Sequence, residues 1–427
     1  MSDNNISYNL VHIVGGGEHK TPLVASQVFD RAQEQAATPG SGKPSSVSVW
    51  IFVPMRMAFE KESKEIISGL RERCPDVNIR AIPGINRLNQ WPSHTILKRL
   101  RNKLNGKVVY HCRSEMFIDR ILPLKKEFSG DALVLDIRGF FPLERFINDH
   151  SINSVADMSD HQKGLYNKDL VRLKHATDNS EVVCTVSEPL RDYLIKQVNA
   201  DTDTVVIPCC VKNTVTDTKR DKIRQELKIE DKTAILYLGG VHKNQYLEEL
   251  GIPFIKTALA LSDKYAGVFI TQNKDKMMAM LAKFNVEWDN IRVISVPQNE
   301  VGDYLTGMDL GLLLRAPSVQ NNFSQPVKFG EYLSAGIPVV LEEGTGKISE
   351  LLKQNGIGCV VKLWGKDNQK EFEGEVRKAL DWFETNRTTV RNNARKFVDD
   401  CYTWKANVQK EREMYVKALW KVVRKTS

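Results

Sequence analysis

The sequence predicts an α/β protein made of two Rossmann-like domains, and three observations carry that prediction. Short apolar runs alternate with helical patterns along the chain, the signature of parallel sheets wrapped by helices. Two of these runs, Tyr8 to Val14 and Thr233 to Leu238, each open a fresh series and lead into glycines, Gly15-Gly16-Gly17 and Gly239-Gly240. The length of 427 residues is also large for one domain and suits two.

Composition narrows the class. With 41% apolar and 27% charged residues, the chain reads as soluble and globular. No apolar run reaches the roughly 18–20 residues of a membrane span, and the polar start MSDNNISYN does not read as a signal peptide. Seven cysteines without paired metal-ligand spacing suggest reduced, buried thiols in a cytoplasmic protein. A net charge of +8 suits an acidic partner such as nucleotide phosphate or anionic lipid. Nothing in the chain has the pattern of a nucleic-acid module, so nucleic acid is not the expected partner.

In the first half, Gly15-Gly16-Gly17 follows a strand, and glycines there let a ligand approach the backbone. Thr21-Pro22 opens a helix, and residues 35–46 (QAATPGSGKPSS) read as a mobile loop. Further strands are expected at Val47 to Val53, Val77 to Ile82, Lys107 to Cys112 and Ala132 to Ile137, with helices between them. Two polar clusters close the last two: His111-Cys112-Arg113-Ser114-Glu115 and Asp136-Ile137-Arg138-Gly139. Ligands of parallel sheets bind at such carboxyl ends. Arg138 either pairs with Asp136 or Glu144, or holds a phosphate or an acidic acceptor. Ile96 to Lys107 has Ile96, Leu97, Leu100 and Leu104 on one face and five cations elsewhere. That pattern suits either peripheral docking on anionic lipid or a solvated basic helix. Ser187 and Pro189 start another helix, and the polar linker Lys212 to Lys219 closes the first domain.

The second series runs TAILYL into Gly239-Gly240-Val241-His242-Lys243, a strand, paired glycines and a basic residue that suit a pyrophosphate. Lys243 is a phosphate ligand or a surface lysine. Strands follow at Ala266 to Gln272, Ile291 to Val296 and Asp309 to Arg315. Arg315 balances phosphates or pairs with an exposed carboxylate. Ser324 to Val340 (SQPVKFGEYLSAGIPVV) then gives a loop, a short helix opened by Pro326 and stopped by Gly336 and Pro338, and a buried strand. Ser324 and Lys328 flank the helix N-terminus, a seat for a diphosphate. Glu331 lies about one turn beyond Lys328 on the same side.

This stretch resembles the nucleotide-sugar-binding segment of retaining, family-4-type glycosyltransferases of the GT-B fold, in its Pro, Lys, Glu-Tyr-Leu and Gly-x-Pro-Val-Val. The resemblance implies two Rossmann-like domains facing across a cleft: residues 1–214 binding acceptor, residues 215–403 binding donor, and a C-terminal helix at 404–427 crossing back to the first. It assigns ribose to Glu331 and diphosphate to Lys328, with Gly16, Gly17, Gly239, Gly240, Lys243, Arg315 and Ser324 at the donor. Pro297-Gln298 would border the base and Gly344-Thr345-Gly346 the sugar. His111 and Arg138 join Lys328 as catalytic candidates, His111 facing the transferred sugar unless it is structural. Many members place a second glutamate where this chain has Phe323, which bears on sugar recognition.

The activity so implied is transfer of a sugar from a nucleotide-sugar donor to a bacterial polysaccharide, lipopolysaccharide, capsule or lipid-linked glycan, with retention and without a metal cofactor. The leaving phosphate would take the acceptor proton. The protein would act from the cytoplasm, at the inner face of the membrane where its basic surface docks. A nucleotide-sugar epimerase or hydrolase, and a non-catalytic glycan-binding scaffold, are the alternatives.

Overall fold

A computed structural model of the chain describes residues 6–15, 17–84, 93–146, 152, 154–198, 202–286 and 288–426. The chain divides into two compact units. The first comprises Met1–Pro142, Ser159–Lys212 and Thr403–Ser427, and the second Leu143–Met158 and Asn213–Tyr402.

The first unit is built on a parallel sheet of β1 (Tyr8–Gly15), β2 (Ser46–Val53), β3 (Asn78–Pro83), β4 (Lys107–Arg113), β5 (Ala132–Ile137), β6 (Val182–Thr185) and β7 (Asp203–Val206). Their spatial order is β3-β2-β1-β4-β5-β6-β7. All eight residues of β1 are buried, as expected of a central strand covered on both faces. Strand order reverses between β1 and β4, so a crevice opens where those two strands end, at Gly15 and Arg113.

The last helix, Trp404–Thr426, belongs to this unit. A parallel bridge joins Val211 to Thr403, and Trp404 N–H donates to Val211 O at 3.0 Å. The helix then buries Trp404, Tyr415, Ala418 and Leu419 in one cluster with Tyr8, Phe29 and Val49. Arg412 donates to Thr38 O (2.6 Å) and Gln35 O (3.1 Å), satisfying carbonyls left over at the end of the helix Asp30–Ala37. The loop expected to be mobile is pinned at the same place, because Tyr8 Oη donates to Gly42 O at 2.9 Å.

The basic segment forms the helix His94–Arg101, capped by Ser93. Part of its charge is paired within the protein, one cation buried and one at the surface. Arg101 is buried and donates twice to Asp131 (2.6 and 2.7 Å), and Lys98 pairs with Glu127. Leu97 is fully buried. The cationic face expected for lipid is therefore reduced to Arg99, Lys103 and Lys107. Among the described residues no helix is long and apolar enough to cross a membrane.

The second unit repeats the plan with β8 (Thr233–Leu238), β9 (Tyr265–Ile270), β10 (Ile291–Ile294), β11 (Leu310–Leu313), β12 (Val339–Glu342) and β13 (Gly358–Val361). All pairings are parallel, in the order β10-β9-β8-β11-β12-β13. Here the order reverses between β8 and β11, whose ends lead to Gly239 and Arg315.

Candidate functional site

The site in the second unit is assembled by the helix Val327–Ser334. Pro326 precedes it in an extended conformation (φ −64°, ψ 132°), and no side chain caps its N-terminus. Its first N–H groups are left for a ligand or water. Tyr332 fixes the helix over the sheet: its hydroxyl accepts from Leu238 N–H (2.8 Å) and donates to Leu312 O (3.4 Å), bridging β8 and β11. Only glycine fits beneath that ring, since a Cβ on Gly311 would lie 2.5 Å from Tyr332 Cδ2. Phe329 packs edge-on against Phe397 and Tyr402.

Held this way, Lys328 projects to the end of β8. Its ammonium lies 4.6 Å from the centroid of the Tyr237 ring and donates to Gln245 Oε1 at 2.7 Å. A Cβ on Gly239 (φ +136°) would lie 3.0 Å from it. Tyr237 Oη donates to Gly240 O at 2.7 Å and steadies the glycine loop. Arg315 comes from the end of β11, and its Nη1 donates to Ser324 Oγ at 3.5 Å, while its Nε is buried with no hydrogen-bond partner. Neither cation forms an ion pair with a carboxylate of the described residues; Glu144 acts on Arg315 only from a distance. Burial, then the like charge of Arg315, pushes the Lys328 ammonium down to about 7. Burial likewise lowers the Arg315 pKa. These are two neighbouring, uncompensated cations at an uncapped helix terminus, which together make a seat for a polyanion.

Glu331 sits one turn along, its carboxyl raised by burial despite Lys328. Among the described residues it makes no ion pair with Lys328 and accepts no hydrogen bond on its side chain, so its oxygens are open to ligand hydroxyls. Lys243 is exposed on the turn Lys243–Gln245, and Gln245 instead reaches Lys328. Gly344 and Gly346 both take positive φ (+85° and +64°). A Cβ on Gly346 would lie 1.8 Å from Asn322 O, so this loop closes tightly on the end of the helix Val319–Phe323. Phe323, at the position where the resemblance leads one to expect a glutamate, is buried. Pro297 and Gln298 are exposed beyond β10.

The candidates of the first unit lie in a different environment. His111 is 2% exposed, and both its ring nitrogens are engaged. Nε2 lies 3.1 Å from Arg31 Nη1 and 3.2 Å from Asp136 Oδ2, and Nδ1 lies 3.1 Å from Tyr415 Oη. Burial and Arg31 push it down to about 4. The ring is therefore neutral and structural in its geometry, with no nitrogen free to face a sugar. Arg31 also meets Glu411 at 2.8 Å, at an angle too bent for a good hydrogen bond. Arg138 pairs with Asp136 (3.5 Å) and donates to Gln27 Oε1 (2.6 Å). Gly17 takes φ +86° beside Met57, and Gly16 lies outside the described residues. Among those residues, no group of three or more His, Cys, Asp or Glu could hold a metal ion.

Sequence reading missed Gln27, Arg31 and Gln35, all buried. Their signal was present: polar residues at i, i+4 and i+8 share the inward stripe of a helix that also buries Val28 and Ala32. Tyr237 and Gln245 carried no such signal, because only the strand-order reversal brings them to Lys328.

No protein-family model and no curated protein matches the sequence. Solved structures match over nearly the whole chain. Sucrose-phosphate synthase from Thermosynechococcus elongatus superposes with a TM-score of 0.67 at 13% identity, covering 96% of this chain and 98% of its own. Anabaena HepE in complex with UDP gives 0.64 at 12% identity, covering 95% and 99%. WaaG, a glycosyltransferase involved in lipopolysaccharide biosynthesis, gives 0.58 at 15%, covering 96% and 99%. The fold is GT-B. Within this GT-B chain, the uncompensated cations and the open Glu331 carboxylate gather at the strand-order reversal of the second unit.

Proposed function

We propose that the chain is a glycosyltransferase that takes a sugar from a nucleotide-sugar donor held by the second unit. The observation that carries this reading is the pair Lys328 and Arg315, both without ion-pair partners among the described residues, beside the uncapped end of Val327–Ser334. A diphosphate supplies the missing negative charge, and the ribose hydroxyls meet Glu331. HepE has been solved with UDP and with UDP-glucose, which supports a uridine nucleotide as the first donor to test. Lys328, Arg315 and Ser324 stabilise charge on the departing diphosphate, an effect that grows as the bond breaks. The first unit, which includes the helix Trp404–Thr426, receives the acceptor, a polysaccharide or lipid-linked glycan. The product retains its anomeric configuration, with the leaving phosphate taking the acceptor proton.

Buried Phe323 favours a second reading, a nucleotide-sugar-binding protein without transfer. Release of UDP from UDP-glucose, followed with and without glycan acceptors, separates the two. Acceptor-dependent release supports transfer, acceptor-independent release indicates a hydrolase, and tight binding without release indicates a scaffold. Glu331→Ala tests the site itself. Loss of charge-assisted hydrogen bonds, about 1.5–3 kcal/mol each, should weaken UDP binding tenfold or more. Unchanged UDP affinity in that variant would remove the assignment of this helix to the nucleotide.

A further inference from the structure

The first unit has its own pair of strand-end arginines. Arg113 closes β4 and lies opposite Asp136 in the β4–β5 register, so the two side chains share one face of the sheet. Arg138 follows Asp136 by two residues. Arg113 is only 8% exposed, yet its Nη1 is buried without a hydrogen-bond partner. Its Nε lies 3.7 Å from Glu18 Oε2, beyond hydrogen-bond distance. Arg138 Nε is likewise buried and unpartnered.

The other local acceptors are committed elsewhere, and Glu18 Oε2, buried and itself without a hydrogen-bond partner among the described residues, stays 3.7 Å from Arg113. Asp136 faces Arg31 (3.1 Å), His111 (3.2 Å) and Arg138 (3.5 Å), and the Gln27 oxygen is held by Arg138. Burial, then the guanidinium of Arg138, holds the Arg113 pKa below its ordinary value. A neutral hydroxyl would leave that repulsion in place. An oxyanion would cancel it and accept from both orphaned nitrogens. The place is also right, because β4 flanks the strand-order reversal of this sheet.

The geometry points to Arg113 and Arg138 as an oxyanion site, so the glycan acceptor carries a phosphate or carboxylate group. Calling the ligand an acceptor rests on the function proposed above; the affinity for an oxyanion does not.

The test is calorimetric titration of the full chain, saturated with UDP to occupy the other anion seat. The probes are glucose 6-phosphate, glucuronate and glucose. One or both charged probes should bind, glucose should not, and the tighter charged probe identifies phosphate or carboxylate. Arg113→Gln and Arg138→Gln should each weaken that binding tenfold or more, with Arg113→Lys retaining part of it and UDP affinity unchanged in all three. Circular dichroism checks that the variants fold, and the exposed control Arg99→Gln should bind as wild type. Glucose binding as well as its charged analogues, no binding of either anion, or full binding by both glutamine variants would overturn the proposal. If UDP itself fails to bind, the donor reading falls. The same titration on Lys328→Met without UDP then still decides the arginine site.

Discussion

The Lys328 ammonium rests 4.6 Å from the centre of the Tyr237 ring and has no carboxylate partner. Among the described residues a ring face and the Gln245 amide oxygen contact it, and Glu331 acts on it only from a distance. A cation so placed is costly in the free protein and gains when an anion arrives.

Lys328→Met should therefore make the ligand-free protein more stable while removing activity. Replacing a poorly compensated charge by packed apolar atoms is worth roughly 1–4 kcal/mol, readable as a raised thermal midpoint. Turnover and UDP affinity should both fall, turnover by more, because the lysine also opposes charge that develops in the transition state. A lowered midpoint would show that the ammonium is already well satisfied.

The depressed pKa gives UDP binding a signed pH dependence. Lys328 titrates near 7 when the site is empty, and a bound diphosphate raises that value. Binding thus takes up protons, and affinity should fall as pH rises from about 7 to 9, by up to about tenfold per unit. In Lys328→Met the profile should flatten. Stability of the free protein should change in the opposite sense. The unfolded chain keeps this lysine protonated up to about 10.4, so it binds more protons than the folded chain above pH 7, and folding stability rises across that window. Saturating UDP should abolish the rise.

Arg31→Met should be severely destabilising. It removes the cation paired with buried Glu411 at 2.8 Å and one of the two guanidinium partners of buried Asp136, at 3.1 Å, leaving Arg138 at 3.5 Å. Leaving buried charges unpaired costs about 3–5 kcal/mol, measurable as a denaturant midpoint. Because Glu411 sits on the last helix, amide exchange should accelerate first in residues 404–426.

Transfer should survive chelation. Lys328, Arg315 and the uncapped helix end supply positive charge at the diphosphate, so EDTA should leave most of the rate, and added magnesium or manganese should change it little. Complete loss on chelation, restored by either cation, would contradict this.

The sequence by itself determined the α/β class, the two series of parallel strands and the helix from Val327 to Ser334, because these depend on local signals. Apolar runs bounded by glycines make buried strands, and Pro326 and Gly336 bracket one helix whatever surrounds it. The candidate roles of Lys328 and Glu331 were also legible there, from their spacing of one turn.

Tertiary structure decided which charges are compensated, since that depends on neighbours far apart in the chain. His111 read as a strand-end candidate, but Arg31 from a helix, Asp136 from the next strand and Tyr415 from the last helix enclose it. Lys98 and Arg101 read as two of five cations on a segment suited to anionic lipid or to solvent, but Glu127 and Asp131 pair with them. Arg315 looked no different from these, yet among the described residues it has no ion-pair partner, and Arg113 has only Glu18, at 3.7 Å. Coulomb energy and desolvation act through space at a few ångströms, and the order of strands in each sheet sets which cations find a carboxylate within that reach.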